Sequence, residues 1–177
     1  MQPQSADEGV PIYIAALALG TVELAGELAD GVMLDLCPRS RLPKIRAALD
    51  RGAAKAGRNA AAVDLTLGLL ACISDDLHAA RAAAKATLAF YGTMPFYNTL
   101  FQKSGFEQEA AAIAGGDAQA VSDKMVEELV LYGPAARCRE QLAAFRVAGI
   151  QLPIIRPVPV GDKPYAQAVR EAIETFA

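Results

Sequence analysis

Val10-Pro11-Ile12-Tyr13-Ile14-Ala15-Ala16-Leu17, then Thr21-Val22-Glu23-Leu24-Ala25-Gly26-Glu27-Leu28-Ala29-Asp30, then Gly31-Val32-Met33-Leu34-Asp35-Leu36 follow one another almost without interruption. The first run is continuously apolar, too short for a long helix, and suits a strand near 11–17 buried on both faces. The second places Val22, Ala25, Leu28 and Ala29 on one helical face. Gly31 is expected to close that helix in a left-handed cap, and Val32 to Leu36 to form a second buried strand. A strand, a helix and a strand in so few residues imply a parallel, right-handed crossover. Proteins of this kind keep their sites at the carboxyl ends of the strands. The loops at Ala18 to Gly20 and Cys37 to Ser40 are therefore where function is expected.

The same alternation continues outward from this unit. Leu42, Ile45 and Leu49 predict a helix from about Arg41 to Ala56, with Pro43 tolerated in its first turn and Gly57 closing it. Val63 to Ile73, rich in Leu, Thr and Val, predicts a third strand near 64–72, and Ser74 or Asp75 is expected to cap the next helix. Apolar residues at 77, 80, 84, 88 and 91 predict that helix over Leu77 to Tyr91, stopped by Gly92 and Pro95. No strand is predicted between Thr93 and Tyr132, where helices are expected near 96–103, 107–114 and 118–131. A helix from Pro134 to Gly149 leads to a fourth strand near 152–156, ended by Pro157 and Pro159, and a last helix runs from Pro164 to Phe176. Residues 1–9 are expected to be a flexible lead-in and 10–177 a single domain.

Composition excludes several classes. The chain has 177 residues, 53% hydrophobic and 21% charged, with a formal net charge of -3. That describes a globular domain with no Lys/Arg block, so neither nucleic acid nor an anionic membrane surface is an expected partner. No basic leader precedes an apolar core and no run approaches a spanning length of roughly 18 residues, which points to the cytoplasm. Cys37, Cys72 and Cys138 are widely spaced in apolar surroundings and read as buried, reduced thiols. With one histidine, His78, and no CxxC, there is no metal site and no triad. His78 itself reads as a solvent-facing helix residue.

Pro11-Ile12-Tyr13-Ile14-Ala15-Ala16-Leu17 followed by Leu24-Ala25-Gly26-Glu27-Leu28-Ala29-Asp30-Gly31-Val32 resembles the fifth strand, fifth helix and sixth strand of luciferase-like monooxygenases. The likeness is closest to the branch that uses the deazaflavin coenzyme F420. Tyr132-Gly133-Pro134, the helix through Cys138 and Leu142, and Ala148-Gly149-Ile150 resemble that family's last helix and strand. The resemblance covers the C-terminal half of the family's barrel. It implies an α/β fold of the TIM type, a parallel (β/α) half-barrel of four strands with a helical insertion at about 93–132. A full barrel has eight strands over typically about 250 residues. Four strands leave two open edges and an apolar inner face, so a homodimer or a partner completing the barrel is expected.

The resemblance also implies a function: an oxidoreductase using coenzyme F420 or FMN for hydride transfer to, or oxygenation of, a small organic substrate. In the family the loop after the fifth strand helps hold the cofactor phosphate, commonly with a Gly-Pro pair. Here that pair falls on Ala18 and Leu19, leaving Gly20 and the Thr21 hydroxyl as the cradle at a helix N-terminus. The implied cofactor-binding set is Ala18, Leu19, Gly20, Thr21, Leu36 and Cys37. From the residues alone the same loop also reads as an ordinary tight turn with Thr21 as N-cap. Arg39 or Arg41 could pair with an acidic cofactor tail, and Arg156 could contact a ligand anion or pair with Asp35 or Asp162. The cluster Phe90, Tyr91, Phe96, Tyr97, Phe101 and Phe106 is expected to line a pocket, make a subunit contact or pack between short helices. No catalytic residue follows from the sequence. The alternative function is a non-catalytic half-barrel relative or fragment, serving as a dimerising or partner-binding module.

Overall fold

The computed structural model describes residues 10–177, so the expected lead-in at Met1 to Gly9 lies outside the described residues. All strand pairings are parallel: β1 (Tyr13–Ala15) pairs β2 (Gly31–Asp35), which pairs β3 (Asp64–Ile73), which pairs β4 (Val130–Gly133) and β5 (Leu152–Pro157). The four expected strands are present in sequential order. β4 corrects the expectation that no strand lies between Thr93 and Tyr132. It follows α6 (Asp123–Leu129) without a breaker, so its apolar residues read as the tail of a helix.

β3 explains why an extra strand fits. Its residue Gly68 faces Asp35 on one edge and Ile154 on the other, while Leu70 faces Val130 and Arg156. β2 and β4 therefore occupy the same edge of β3, end to end, with β5 opposite. β2 leaves that edge because Leu36 takes a left-handed conformation, with φ of 46°. Such a conformation costs a non-glycine residue about 1–2 kcal/mol. β4 takes over the vacated donors and acceptors two residues further along.

Two cores flank the sheet. On the outer face Val32, Leu34, Leu65, Leu67, Leu69 and Ala71 pack against α1 (Leu19–Leu28), α2 (Leu42–Lys55) and α7 (Ala135–Val147). α8 (Tyr165–Phe176) lies against β3 and β5 beside α7. At the carboxyl end, Leu36, Leu70, Cys72, Val130 and Tyr132 join α3 (Leu77–Gly92), α5 (Glu107–Ala114) and α6 in a second core, with Phe101 of α4 (Pro95–Gln102) and Phe106. The insertion thus covers the upper part of the inner face. The lower part stays bare: Met33 is 41%, Leu152 50% and Ile154 38% exposed. β1 and β5 each pair on one side only, so both edges of the sheet are open among the described residues. No helix of the described residues is long and apolar enough to cross a membrane.

One glycine differs from expectation. Gly31 is not the left-handed cap of α1. The helix ends earlier, at Leu28, with an extended Ala29, and Asp30 N–H already bonds the Ile12 carbonyl 2.9 Å away. Gly31 is needed instead because any Cβ there would strike the ring of Tyr13, its partner on β1. Gly26 and Gly52 set the crossing of α1 and α2, since a Cβ on Gly26 would meet the Leu49 carbonyl and one on Gly52 the Glu23 carbonyl. Further along, α3 is capped by Asp76, one or two residues later than expected, its carboxylate accepting from the His78 and Ala79 N–H groups.

The three cysteines are buried and free, as their apolar surroundings imply. Burial pushes the thiols of Cys37 and Cys72 up to about 12 and that of Cys138 up to about 11, so none supplies a thiolate at neutral pH. A thiol reagent at pH 8 should leave the folded protein unmodified and label all three cysteines once denaturant is added. Gly52→Ala should lower stability to urea by about 1–3 kcal/mol, because backbone stands in the way of its Cβ. Gly20→Ala, whose Cβ meets nothing within 4 Å, should leave the urea midpoint unchanged or raise it.

Candidate functional site

The β1–α1 loop was the first expectation. α1 begins at Leu19, two residues earlier than the pattern suggested, with Ala18 at the cap position and no side-chain capping bond. Thr21 therefore lies inside the first turn and is not the N-cap; its N–H bonds back to the Ala18 carbonyl at 3.1 Å. The N–H groups of Leu19 and Gly20 have no partner among the described residues. Gly20 is exposed and opens onto free space. Leu19, which stands where the resembled family commonly has proline, packs its side chain against the outer core. With the Leu19 side chain packed into the core, two amide donors remain at the positive end of a helix.

The neighbouring carboxyl-end loops are already filled from within. After β2, the Ser40 N–H donates to the Glu128 carboxylate at 2.7 Å, and Arg39 pairs with the same carboxylate at 3.5 Å. Arg41 is buried, its Nη1 donating to the Lys103 carbonyl at 2.8 Å and to Ser104 Oγ at 3.1 Å. Both arginines are committed to internal contacts rather than open to a cofactor tail. After β3, Asp76 fills the helix N-terminus. Leu36 and Cys37 are enclosed at the end of β2, Leu36 in the upper core and Cys37 in the outer one, so they stand behind this rim rather than on it.

The sheet's inner face carries a polar cluster at the ends of β2 and β5. Arg156 Nη2 lies 2.8 Å from Asp35 Oδ1, so of the partners considered for Arg156 the structure selects Asp35. The pair lies flat over Gly68, where a Cβ would stand 2.6 Å from Asp35 Oδ1. The Tyr97 hydroxyl donates to Asp35 Oδ2 at 2.6 Å, and Arg156 Nη1 donates to the Tyr91 hydroxyl at 3.4 Å. The Arg156 guanidinium also stacks 5.5 Å from the Tyr91 ring centre, and the Tyr91 and Tyr97 rings meet edge-on at 5.0 Å. Burial first, then the bond to Asp35, pushes the Tyr97 phenol up to about 12, so it remains a donor at neutral pH. The aromatic cluster thus divides three ways. Phe101 and Phe106 are core, Tyr91 and Tyr97 close the polar cluster, and Phe90 and Phe96 are exposed.

The sequence offers Asp35 as one partner of Arg156, but gives no sign that Tyr97 and Tyr91 belong to the same site. The available signal was the charge pattern. Asp35 ends β2 and Arg156 is the last residue but one of β5, and both strands are otherwise mostly apolar. His78 is exposed, as expected, on the border of a groove of about 740 Å³ between α3 and the α5–α6 segment. Arg81 and Lys85 in that groove both pair with Asp123, at 3.3 and 2.7 Å, so it presents no open charge. No group of three or more His, Cys, Asp or Glu residues that could hold a metal ion occurs among the described residues.

The chain as a whole is similar to known proteins. The chain is 26% identical over 167 residues to a 5,10-methylenetetrahydromethanopterin reductase of Archaeoglobus fulgidus, covering 86% of this chain and 49% of the relative. It superposes on the coenzyme F420-dependent tetrahydromethanopterin reductase of Methanopyrus kandleri with a TM-score of 0.74 and 22% identity, over 95% of this chain and 51% of that one. An F420-dependent secondary alcohol dehydrogenase, solved with an F420–acetone adduct, gives a TM-score of 0.70 and 16% identity over 96% and 49%. The chain spans about half the length of the relatives it matches. The sheet is accordingly one half of a parallel (β/α) barrel. The sequence profile of luciferase-like monooxygenases matches residues 1–152, most of the chain, and the chain belongs to that family.

Proposed function

We propose that this chain is the cofactor-binding half of a coenzyme F420-dependent oxidoreductase acting on a small organic substrate. The observation that carries the reading is the β1–α1 loop of a family member, with an open Gly20 and, among the described residues, two amide donors without a partner and no carboxylate filling it. The similarity to proteins described as F420-dependent favours the deazaflavin over FMN. In such enzymes the cofactor carries the hydride, and the protein supplies position and exclusion of water.

The Leu19 and Gly20 amides and the Thr21 hydroxyl would hold the cofactor phosphate at the helix N-terminus, with Ala18 shaping the approach and Leu36 and Cys37 backing the neighbouring strand end. A phosphate held by backbone N–H groups depends on backbone chemistry more than on side chains. The Thr21 hydroxyl contributes one hydrogen bond to a charged group, about 1.5–3 kcal/mol. Gly20→Pro removes an amide donor while proline remains tolerated in a first helical turn, so the loss falls on binding rather than on the helix.

A second half-barrel of four strands would complete the site, either as the other half of a longer chain or as a second copy. The support is the bare inner face at Met33, Leu152 and Ile154 between two open edges, a surface too apolar to stand in water. Residues 10–177 form one domain in this reading, with a helical insertion at about 93–132, and the enzyme works in the cytoplasm.

Calorimetric titration with F420 and with FMN tests the function. F420 should bind, Thr21→Ala should weaken it roughly 10- to 100-fold, and Gly20→Pro at least as much. Absence of heat from both cofactors in a folded sample would overturn this reading in favour of the non-catalytic module. Light scattering tests the completion: a second copy predicts a dimer at micromolar concentration, and a monomer that binds F420 at full strength would overturn the need for another half.

A further inference from the structure

Arg41 carries a charge that none of the described residues balances. The residue is only 8% exposed, and its Nη1 donates to the Lys103 carbonyl at 2.8 Å and to Ser104 Oγ at 3.1 Å. Both partners are neutral, so they anchor the guanidinium and leave its charge intact. Of the five N–H donors of a guanidinium, the three on Nε and Nη2 make no hydrogen bond among the described residues, and Nε is enclosed. Arg41 forms no ion pair there either, whereas Arg39, two residues earlier, pairs with Glu128. A buried guanidinium without a counter-charge costs stability, and an anion taken from solution would offset that cost.

The cleft that Arg41 lines gives the anion its character. It lies between the start of α2 and the turn joining α4 to α5, with a volume of about 380 Å³. Lys44 and Lys103 line it as well, both exposed and neither in an ion pair among the described residues. Glu107 is the one carboxylate of the lining. Three cations against one carboxylate leave a formal charge of +2. That surplus matches a dianion, and a guanidinium fork beside two ammonium groups matches the tetrahedral oxygens of a phosphate. A carboxylate brings a single charge. The volume lies in the range of small-molecule sites, so there is room for an organic group beyond the phosphate itself.

We infer that this cleft binds the phosphate group of a small phosphorylated molecule through Arg41, Lys44 and Lys103. The site is separate from the β1–α1 loop and stands whether or not that loop holds a cofactor. Calorimetric titration at constant ionic strength with glycerol 3-phosphate, inorganic phosphate and acetate tests it. The wild-type protein should bind glycerol 3-phosphate, and acetate roughly 10-fold more weakly or not at all. The double change Lys44→Ala with Lys103→Ala should weaken glycerol 3-phosphate roughly 10-fold or more, and Arg41→Met at least as much. Glu107→Gln should tighten it, a gain that a purely structural role for these cations would not produce. Gly20→Pro should leave it unchanged. If Arg41→Met does not fold, the double lysine variant, changed only at exposed side chains, carries the same test. Binding of inorganic phosphate without glycerol 3-phosphate would overturn the ester and leave room only for the free ion. Binding that ignores the lysine and arginine changes, or that Gly20→Pro abolishes, would overturn the site and move the phosphate to the β1–α1 loop. No binding by folded wild-type protein at millimolar phosphate ester would overturn it outright.

Discussion

The backbone pairing of β3 is the constraint on which the rest of the molecule depends. Asp64 to Ile73 bonds β2 and β4 on one edge and β5 on the other, so three strands take their register from this one. Nearly all its residues are buried, and its two faces serve different cores. Odd-numbered residues Leu65, Leu67, Leu69 and Ala71 meet the outer helices, while Leu70 and Cys72 meet the insertion. A shift of one residue would exchange these sets and place Gly68 on the wrong face. The Asp35–Arg156 pair would then have a side chain beneath it, and the polar cluster could not lie on the sheet.

The unequal cover of the inner face follows from the same strand. Being ten residues long, β3 outruns β2, and the insertion attaches where β2 has ended. The upper half of the face is thereby closed by Phe101, Phe106, Met125 and Tyr132. The lower half keeps Met33, Leu152 and Ile154 in the open. Helix packing cannot cover them, because every helix of the outer layer is on the other side. The bare patch thus lies between the two open edges, β1 and β5, of the described sheet.

Much of this was legible in the residues. The four principal strands and the outer helices follow from apolar runs, 3.6-residue periodicity and glycine or proline boundaries, and these local signals agree with the tertiary fold. β4 escaped because Val130 to Tyr132 continues the apolar pattern of α6 with no glycine or proline before it, and its strand state is set by pairing with β3. The α1 boundary escaped for the opposite reason. Leu19 and Gly20 look like loop residues, yet Leu19 is anchored in the core and draws the first turn forward. Gly31 was read as a cap because its local context fits one, whereas the ring of Tyr13, eighteen residues earlier, is what excludes a side chain. The candidate site was half visible. The amide cradle is a local feature, but the cluster of Asp35, Arg156, Tyr91 and Tyr97 comes from four separated elements and exists only once β3 has aligned them.

Leu36 joins these points. A leucine with φ of 46° is held in a conformation it does not prefer, and the upper core that encloses its side chain holds it there. The bend gives β2 a sharp end immediately after Asp35. An ordinary extended residue would carry β2 onward along β3 and occupy the edge that β4 now fills. Asp35 would then be one residue within a ladder instead of the last one, and Tyr97 would have no approach to its second carboxylate oxygen. The strain at Leu36, offset by burial of its side chain, therefore turns a strand interior into a strand end. At that end a carboxylate can face an arginine from β5 and a tyrosine from α4 at once.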